Sequence, residues 1–277
     1  MLDFVYYPVS AVLWLWHTAF AALFGAASGL SWALAIIALV VTLRAALYRP
    51  FLAQVKFSRT MAIMQPQMKR LQAEFADDRE RLTAEVRKLQ QQHEFSVLRA
   101  FTPMLVQLLI FLGLYHVLRS FDRTGPMTNL LFGTTARSAP APITANYVFS
   151  ADQVQSFLHA KILSAPLTAT LAISTGTFGA LAAVALPLIA IAAFATHSTA
   201  RAAATRQLTT TPQTRLITWM TLWLFPLGTI VAGLVMPIGI LIYFATSNTW
   251  TFAQQYWVHR RLGPVSEAVP VVEPQED

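Results

Sequence analysis

An arginine interrupts the first long apolar stretch of this 277-residue sequence. The stretch SWALAIIALVVTLRAALYRP places Arg44 fourteen residues after Leu30, which is about 21 Å along a helix. Arginine stays protonated in proteins, so it cannot pass a proton as an acid or a base. The chemistry available to it is electrostatic, because a fixed cation attracts a carboxylate or another anion.

Two interpretations of Arg44 are open. Its side chain could extend to the inner lipid headgroups, since the level of Arg49 lies only about 7.5 Å further along the helix. Alternatively, it lines a hydrated cavity inside the membrane and waits for an anionic group. No Asp or Glu occurs in any of the predicted spans, so a structural ion pair there is excluded, and this favours the second interpretation.

Polar residues in the other apolar stretches could share a hydrophilic groove with Arg44. Hydrogen bonding between helices is the alternative role for such side chains in membranes. The predicted groove residues are Gln107 in the second span, Thr218, Thr221 and Trp223 in the fourth, and Thr246, Ser247, Asn248, Gln254 and Gln255 in the fifth.

Enzymatic functions find little support in the sequence. It has no cysteine, no HExxH, no G-x-S-x-G and no phosphate-binding Gly-Lys-[Ser/Thr] loop. His17, His116 and His197 are isolated from one another and are predicted to lie at membrane interfaces. We therefore expect no catalytic residue, no metal, no cofactor and no direct recognition of nucleic acid.

The composition is that of a membrane protein. Hydrophobic residues make up 55% of the chain and charged residues 12%, which leaves too little polar surface for a soluble fold. A span needs roughly 20 apolar residues. We predict an all-α membrane protein with five transmembrane helices around a hydrophilic groove. The predicted spans are 29–49, 103–119, 179–197, 216–233 and 237–257.

Residues 1–28 are apolar as well, but Pro8 interrupts them and they are rich in Tyr and Trp, which prefer the headgroup level. We predict an amphipathic interfacial helix on the outer side. A cleaved signal peptide is the alternative. Asp3 and the absence of Lys or Arg from the first ten residues disfavour it.

Basic residues indicate how the chain crosses the membrane. Residues 49–99 hold ten Lys or Arg, loop 198–215 holds three, and the tail 258–277 holds Arg260 and Arg261. The loop 120–178 and its edge hold four. Because Lys and Arg are retained on the cytoplasmic side, we predict an outer N-terminus and a cytoplasmic C-terminus in the cell membrane.

Residues 50–102 are predicted to form a cytoplasmic helical hairpin. Apolar residues with heptad spacing predict that its first arm packs on another helix; they are Phe57, Met61, Met64, Met68, Leu71 and Phe75. Asp77 and Glu80 have capping-box spacing for the second arm, and Pro66 should kink or divide the first. Flexible methionines predict a docking surface, consisting of Met61, Met64, Met68, Lys69, Arg70, Arg79 and Arg81. A solvated face is the alternative for the charges.

The outer loop contains a predicted helix. Ser150 and Gln153 have capping-box spacing, and the apolar residues from Val154 to Ile162 share one face, which predicts a helix lying on the outer leaflet.

The last long apolar stretch is predicted to cross the membrane twice. The 37 uncharged residues from Leu216 to Phe252 cover about 55 Å as a helix, enough for two short crossings. Their proline and glycine residues, from Pro226 to Gly239, should break the helix.

From about residue 4 to residue 261 the sequence resembles the YidC/Oxa family of membrane protein insertases, especially its actinobacterial-type members. The resemblance is carried by TLRAALYRP, MQPQMKRLQAEFADDRERL, PMLVQLLIFLGLYHVLRSF, FPLG and PIGILIYFATSNTWTFAQQYW. It implies a five-helix core around a groove that is open to the cytoplasm and to lipid. Arg44 and Gln107 match the positive and polar groove positions of the family, and residues 50–102 match its substrate-receiving hairpin.

The partners that the resemblance implies are nascent membrane-protein clients, the Sec translocon, the signal recognition particle pathway, the ribosome and membrane lipids. The acidic ending EAVPVVEPQED differs from the long basic tail that touches ribosomes in many members. Two other functions stay open. They are an assembly scaffold acting beside the Sec translocon, and a small-solute channel, which the lack of acids in the spans disfavours.

Overall fold

The computed structural model describes residues 3–92, 97–121, 144–173, 178–205 and 212–263, and these are almost entirely helical. The helices are α1 (Asp3–Phe24), α2 (Gly29–Ala46), α3 (Tyr48–Glu74), α4 (Arg79–Gln92), α5 (Val97–Phe121), α6 (Ala151–His159), α7 (Phe178–Ala204), α8 (Pro212–Val235) and α9 (Ile238–Leu262). A two-stranded hairpin follows α6, with β1 (Lys161–Ile162) antiparallel to β2 (Ala165–Pro166), and a 3₁₀ helix spans Leu171–Ile173.

The core of the bundle forms around α2. This helix begins where the Ser28 hydroxyl accepts a hydrogen bond from the backbone N–H of Leu30, as N-cap serines do. Its residues Trp32, Ile36 and Leu39 are completely buried. Helix α2 contacts α1 and α9, α5 packs on α1, and α7 packs on α8 and α9. Helix α8 lies at the edge, since its main neighbour is α7 and most of its large apolar side chains are exposed.

Four of the described helices could cross a membrane by length and composition, namely α1, α2, α7 and the Thr214–Val235 part of α8. Residues Leu105–Phe121 of α5 are apolar but shorter. The predicted fifth span, α9, is long enough but not apolar enough to count among these helices, because polar residues from Thr246 onward lower its mean hydropathy. Helix α1 is long and apolar enough, although we predicted an interfacial helix there.

Helix boundaries differ from the predicted ones at two prolines and at one cap. Helix α3 continues through Pro66, so the first arm of the hairpin is not divided there. The chain between α8 and α9 breaks only at Met236 and Pro237, and Pro226 lies inside α8. Asp78, not Asp77, caps α4, because its carboxylate accepts from the N–H of Arg81 at 3.0 Å.

One end of the bundle is closed by α6 and the β-hairpin. The predicted capping box of α6 is present, formed by Ser150 and Gln153. Its apolar face, however, packs on protein: Val154 and Phe157 are buried, and the ring of Phe157 meets that of Trp32 at 5.1 Å. The aromatic rings around Trp32 of α2 thus cover this face, and the position of α6 at the outer leaflet stays a prediction.

The segment after β2 is joined to the start of α9 by backbone hydrogen bonds. The N–H of Ile238 donates to the carbonyl oxygen of Ala169 at 3.1 Å, and that of Gly239 donates to Leu167 at 2.9 Å. The first N–H groups of a helix have no partner within the helix. These bonds satisfy them, so the closing segment also fixes where α9 begins.

Candidate functional site

The guanidinium of Arg44 lies between α2 and α9 and binds neutral oxygen atoms. Its Nη2 donates to the hydroxyl groups of Ser247 and Thr251, each at 2.8 Å. The carbonyl oxygen of Ser247 accepts a longer bond from the same nitrogen, at 3.3 Å. The side chain therefore points into the bundle toward α9.

Thr251 completes this network from within α9. Its hydroxyl donates to the carbonyl oxygen of Ser247 at 2.9 Å, which leaves the lone pairs of the hydroxyl oxygen available to Arg44. Ser247 and Thr251 lie four residues apart, and such residues share one face of a helix. Two successive turns of α9 thus supply three acceptors to one nitrogen of Arg44.

A small pocket borders the guanidinium. It is lined by Val40, Leu43, Arg44, Leu47, Gln107, Ile110, Tyr243 and Ser247. Its open volume is about 10 Å³, close to the room that one water molecule needs. On the wall formed by α5 and α9, the amide of Gln107 donates to the hydroxyl of Tyr243 at 2.9 Å.

One donor of Arg44 is left over at this pocket. The Nε of Arg44 is buried and has no hydrogen-bond partner among the described residues. An unpaired donor on a charged group is costly to bury. The guanidinium therefore keeps one donor for an acceptor such as water or a carboxylate oxygen.

The structure brings three of the predicted groove residues together, namely Arg44, Gln107 and Ser247. Two other polar residues of α9, Thr246 and Asn248, form hydrogen bonds within the helix, since each donates to a carbonyl oxygen one turn earlier. Gln254 is buried and accepts from the indole N–H of Trp250 at 2.9 Å.

The predicted groove residues of the fourth span lie on α8, away from the pocket of Arg44. Thr221 donates to the carbonyl oxygen of Ile217, one turn earlier. Trp223 is 60% exposed and its ring lies 5.6 Å from that of His197 on α7. Neither these residues nor Thr218 line the pocket in the part of the chain that the structure describes.

Sequence reasoning missed two residues of this site, Tyr243 and Thr251. A signal for both was present. Together with Ser247 they are spaced by four residues, so all three share one face of α9. The predicted set in this span contained only the polar cluster Thr246–Asn248 and the two glutamines near its end.

The predicted docking surface of the hairpin is unevenly exposed. Met64 is buried, Met61 is 36% exposed, and Met68 and Lys69 are half-buried. Arg70, Arg79 and Arg81 are exposed, and Arg81 pairs with Asp78 at 3.3 Å. Helix α3 packs on both α4 and α5. The heptad pattern therefore describes a helix packed on two neighbours, with its charged residues at the surface.

The chain is similar to known proteins over most of its length. The family described as "60Kd inner membrane protein" matches residues 23–264. The chain is similar to the "Membrane protein insertase YidC" of Mycolicibacterium paratuberculosis, with 41% identity over 96% of this chain and 78% of the relative. The protein of that name from Mycobacterium tuberculosis is 40% identical over 96% of this chain and 75% of the relative. The one from Streptomyces avermitilis is 31% identical over 94% of this chain and 58% of the relative.

Proposed function

Because the chain belongs to the YidC/Oxa family of membrane protein insertases, that of the 60Kd inner membrane protein, we propose that Arg44 receives a polar segment of the client during insertion. The chain is a multi-pass membrane protein with a non-enzymatic insertase function, and its clients are membrane proteins. Arg44 acts on the short client segment that must reach the outer side. The client's apolar segment then moves sideways into lipid.

The observation that carries this proposal is the set of groups around Arg44. Within the described residues, the groups that bind its guanidinium are neutral oxygens. No carboxylate in the described part of the chain thus cancels its charge. At about 4 Å and an effective dielectric constant of about 20, a client carboxylate would gain about 4 kcal/mol from this charge. That attraction offsets part of the cost of taking the acidic segment out of water.

Transfer itself needs no nucleotide in this mechanism. Hydrocarbon is the barrier to a polar segment, and a hydrated groove that reaches part of the way across shortens the apolar path. Burial of the client's apolar segment in lipid then drives its release, because apolar surface leaves water. In this proposal the five spans around the groove are α2, α5, α7, α8 and α9, and α1 lies at the outer interface, although α1 is long and apolar enough to cross the membrane as well.

The same proposal includes an orientation. Helices α2, α7 and α9 begin, and α5 and α8 end, at the end of the bundle that α6 closes. Loops at the opposite end carry most of the Lys and Arg residues. By the rule that basic loops stay in the cytoplasm, we place the closed end outside and the hairpin inside. The Sec translocon, the signal recognition particle pathway, the ribosome and lipids are candidate partners at these surfaces.

The charge of Arg44 provides the test. The purified protein is reconstituted in vesicles, and insertion is measured by protease protection for two clients that differ only in acidic or neutral residues of the translocated end. We expect Arg44→Ala to impair the acidic client by about tenfold or more, the effect of losing a little over 1.4 kcal/mol. Arg44→Lys should largely restore it, and the neutral client should change little.

Arg44→Glu reverses the charge and so provides the result that would contradict the proposal. If Arg44→Glu inserts the acidic client as well as the unaltered protein does, the receiver role is wrong. Uptake of a small solute by vesicles that contain no client would instead indicate the channel alternative. Stable complexes with finished membrane proteins, without insertion, would indicate the assembly scaffold.

A further inference from the structure

We propose that Ser247 and Thr251 are positioning residues that hold the charge of Arg44 at the pocket. This inference rests on the receiver role proposed for Arg44. It assigns to α9 a task that the two residues share, because their hydroxyl groups bind the same guanidinium nitrogen. The two residues do not touch the client in this proposal. They act through Arg44.

Helix α9 occupies both hydrogens of Nη2 of Arg44. Three acceptors surround Nη2, which carries only two hydrogens, so this nitrogen is saturated. Nη2 belongs to both edges through which a guanidinium can bind a carboxylate with two parallel bonds. With Nη2 occupied, an incoming carboxylate oxygen binds Nη1 or Nε singly. Such a single contact binds an anion more weakly than a bidentate pair does.

The hydroxyl group of Thr251 is oriented by its own helix. It donates to the carbonyl oxygen of Ser247 at 2.9 Å, and therefore offers a lone pair to Arg44. The same carbonyl oxygen accepts from Arg44 as well. Two of the three acceptors of Nη2 are thus pre-oriented by α9 itself.

Without these bonds, the side chain of Arg44 could leave the pocket. An arginine in a span is drawn to the headgroups, and its long side chain can reach them. The level of Arg49 is only about 7.5 Å away along the helix axis. Removal of both hydroxyl groups leaves one bond, the 3.3 Å contact to the carbonyl oxygen of Ser247. The charge would then move from the pocket toward the inner headgroups.

The other polar groups of the pocket do not take over this task. The amide of Gln107 on α5 donates to the hydroxyl of Tyr243, which shares the face of α9 with Ser247. Neither side chain has a hydrogen bond to Arg44 among those described. Holding Arg44 is therefore assigned to the face of α9 that carries Ser247 and Thr251.

The experiment uses a series of clients whose translocated ends carry zero, one, two or three acidic residues. Insertion into vesicles is compared for the unaltered protein, the double variant Ser247→Ala with Thr251→Val, and Arg44→Ala. We expect insertion to rise with each acid in the unaltered protein. In the double variant this dependence should fall at least about fivefold, toward that of Arg44→Ala, because a charged hydrogen-bond network is lost. Insertion of the client without acids should stay within about twofold.

Two further variants separate positioning from a structural role. Thr251→Ser, made in the otherwise unaltered protein, keeps the hydroxyl group and should keep the dependence on acids. Thr249→Val is the matched control, since the hydroxyl of Thr249 donates to Ala245 on the same helix, and Thr249 does not line the pocket. It should behave as the unaltered protein does.

The contrary outcomes are distinct. Undiminished dependence on acids in the double variant would show that Arg44 needs no support from α9. An equal loss for all four clients would mean that the hydroxyl groups only stabilise α9, which would also overturn the proposal. If the unaltered protein itself showed no dependence on acids, the receiver role of Arg44 would be wrong, and this inference would be wrong with it.

Discussion

Arg44 illustrates how a chain without acids in its spans can keep a cation within the membrane. Insertion of an arginine at the centre of a span costs about 2.5–3.5 kcal/mol. A hydrogen bond to a charged group returns about 1.5–3 kcal/mol, and Arg44 makes two short ones with Ser247 and Thr251. The cost is therefore largely offset by neutral groups. In the proposed mechanism, the positive charge that these neutral groups leave uncompensated is the one that a client meets.

Gly29 provides a prediction at the scale of one residue. A Cβ atom at this position would overlap the backbone carbonyl oxygen of Lys161 in β1, which cannot rotate away as a side chain can. We expect Gly29→Ala to lower the free energy of unfolding by about 1–3 kcal/mol through this overlap. Thermal unfolding of the detergent-solubilised protein measures the effect.

Gly228 is the matched control for this substitution. A Cβ atom there has nothing within 4 Å, and the residue lies inside α8. Gly228→Ala should therefore leave the stability unchanged or raise it by up to about 1 kcal/mol, since alanine favours a helix. If Gly29→Ala unfolded at the same temperature as Gly228→Ala, the close approach of α2 and β1 would be wrong.

At the scale of elements, the hairpin and the last helix are joined by Arg59 of α3. Its Nη1 donates to the carbonyl oxygen of Leu262 at 3.1 Å, and its Nη2 donates to Gly263. The last carbonyl groups of a helix have no partner within it and carry partial negative charge. Arg59 satisfies two of them, so it anchors α3 to the end of α9.

We expect Arg59→Ala to loosen this anchor. Loss of a cation at the carboxyl end of a helix costs roughly 0.3–1 kcal/mol, or about 2 kcal/mol in a partly buried site. Amide hydrogen exchange should then become faster in α3 around residue 59 and in the last turn of α9. Lys56→Ala is the control, because Lys56 is exposed on the same helix. Equal exchange rates in the two variants would contradict the anchoring role.

Helix α6 shows what local patterns predict at this scale. Its capping box was predicted because Ser150 and Gln153 interact within one turn. Its apolar face was also recognised, but what covers that face was not. Lipid and protein are both apolar, so the amphipathic pattern is the same for either, and only the contact between Phe157 and Trp32 shows that protein covers it.

At the scale of the molecule, the hairpin forms a unit outside the core around α2. We predict that removal of residues 55–98 abolishes client delivery while the five-span core still folds, because the buried core residues of α2, α7 and α9 lie outside this segment. Insertion in vesicles and thermal unfolding are measured together. Undiminished insertion by the truncated protein would refute the docking role of the hairpin.

The sequence by itself determined the membrane class, the approximate limits of the helices and the hairpin, and it singled out Arg44 as a candidate. These properties depend on hydropathy, periodicity and capping, which act between residues close together in the chain. Only the tertiary structure decided that Ser247 and Thr251 hold Arg44 and that Thr218 and Thr221 lie elsewhere. Ser247 is 203 residues from Arg44. Whether such residues meet depends on the rotation of each helix about its axis, which is set by packing among all its neighbours.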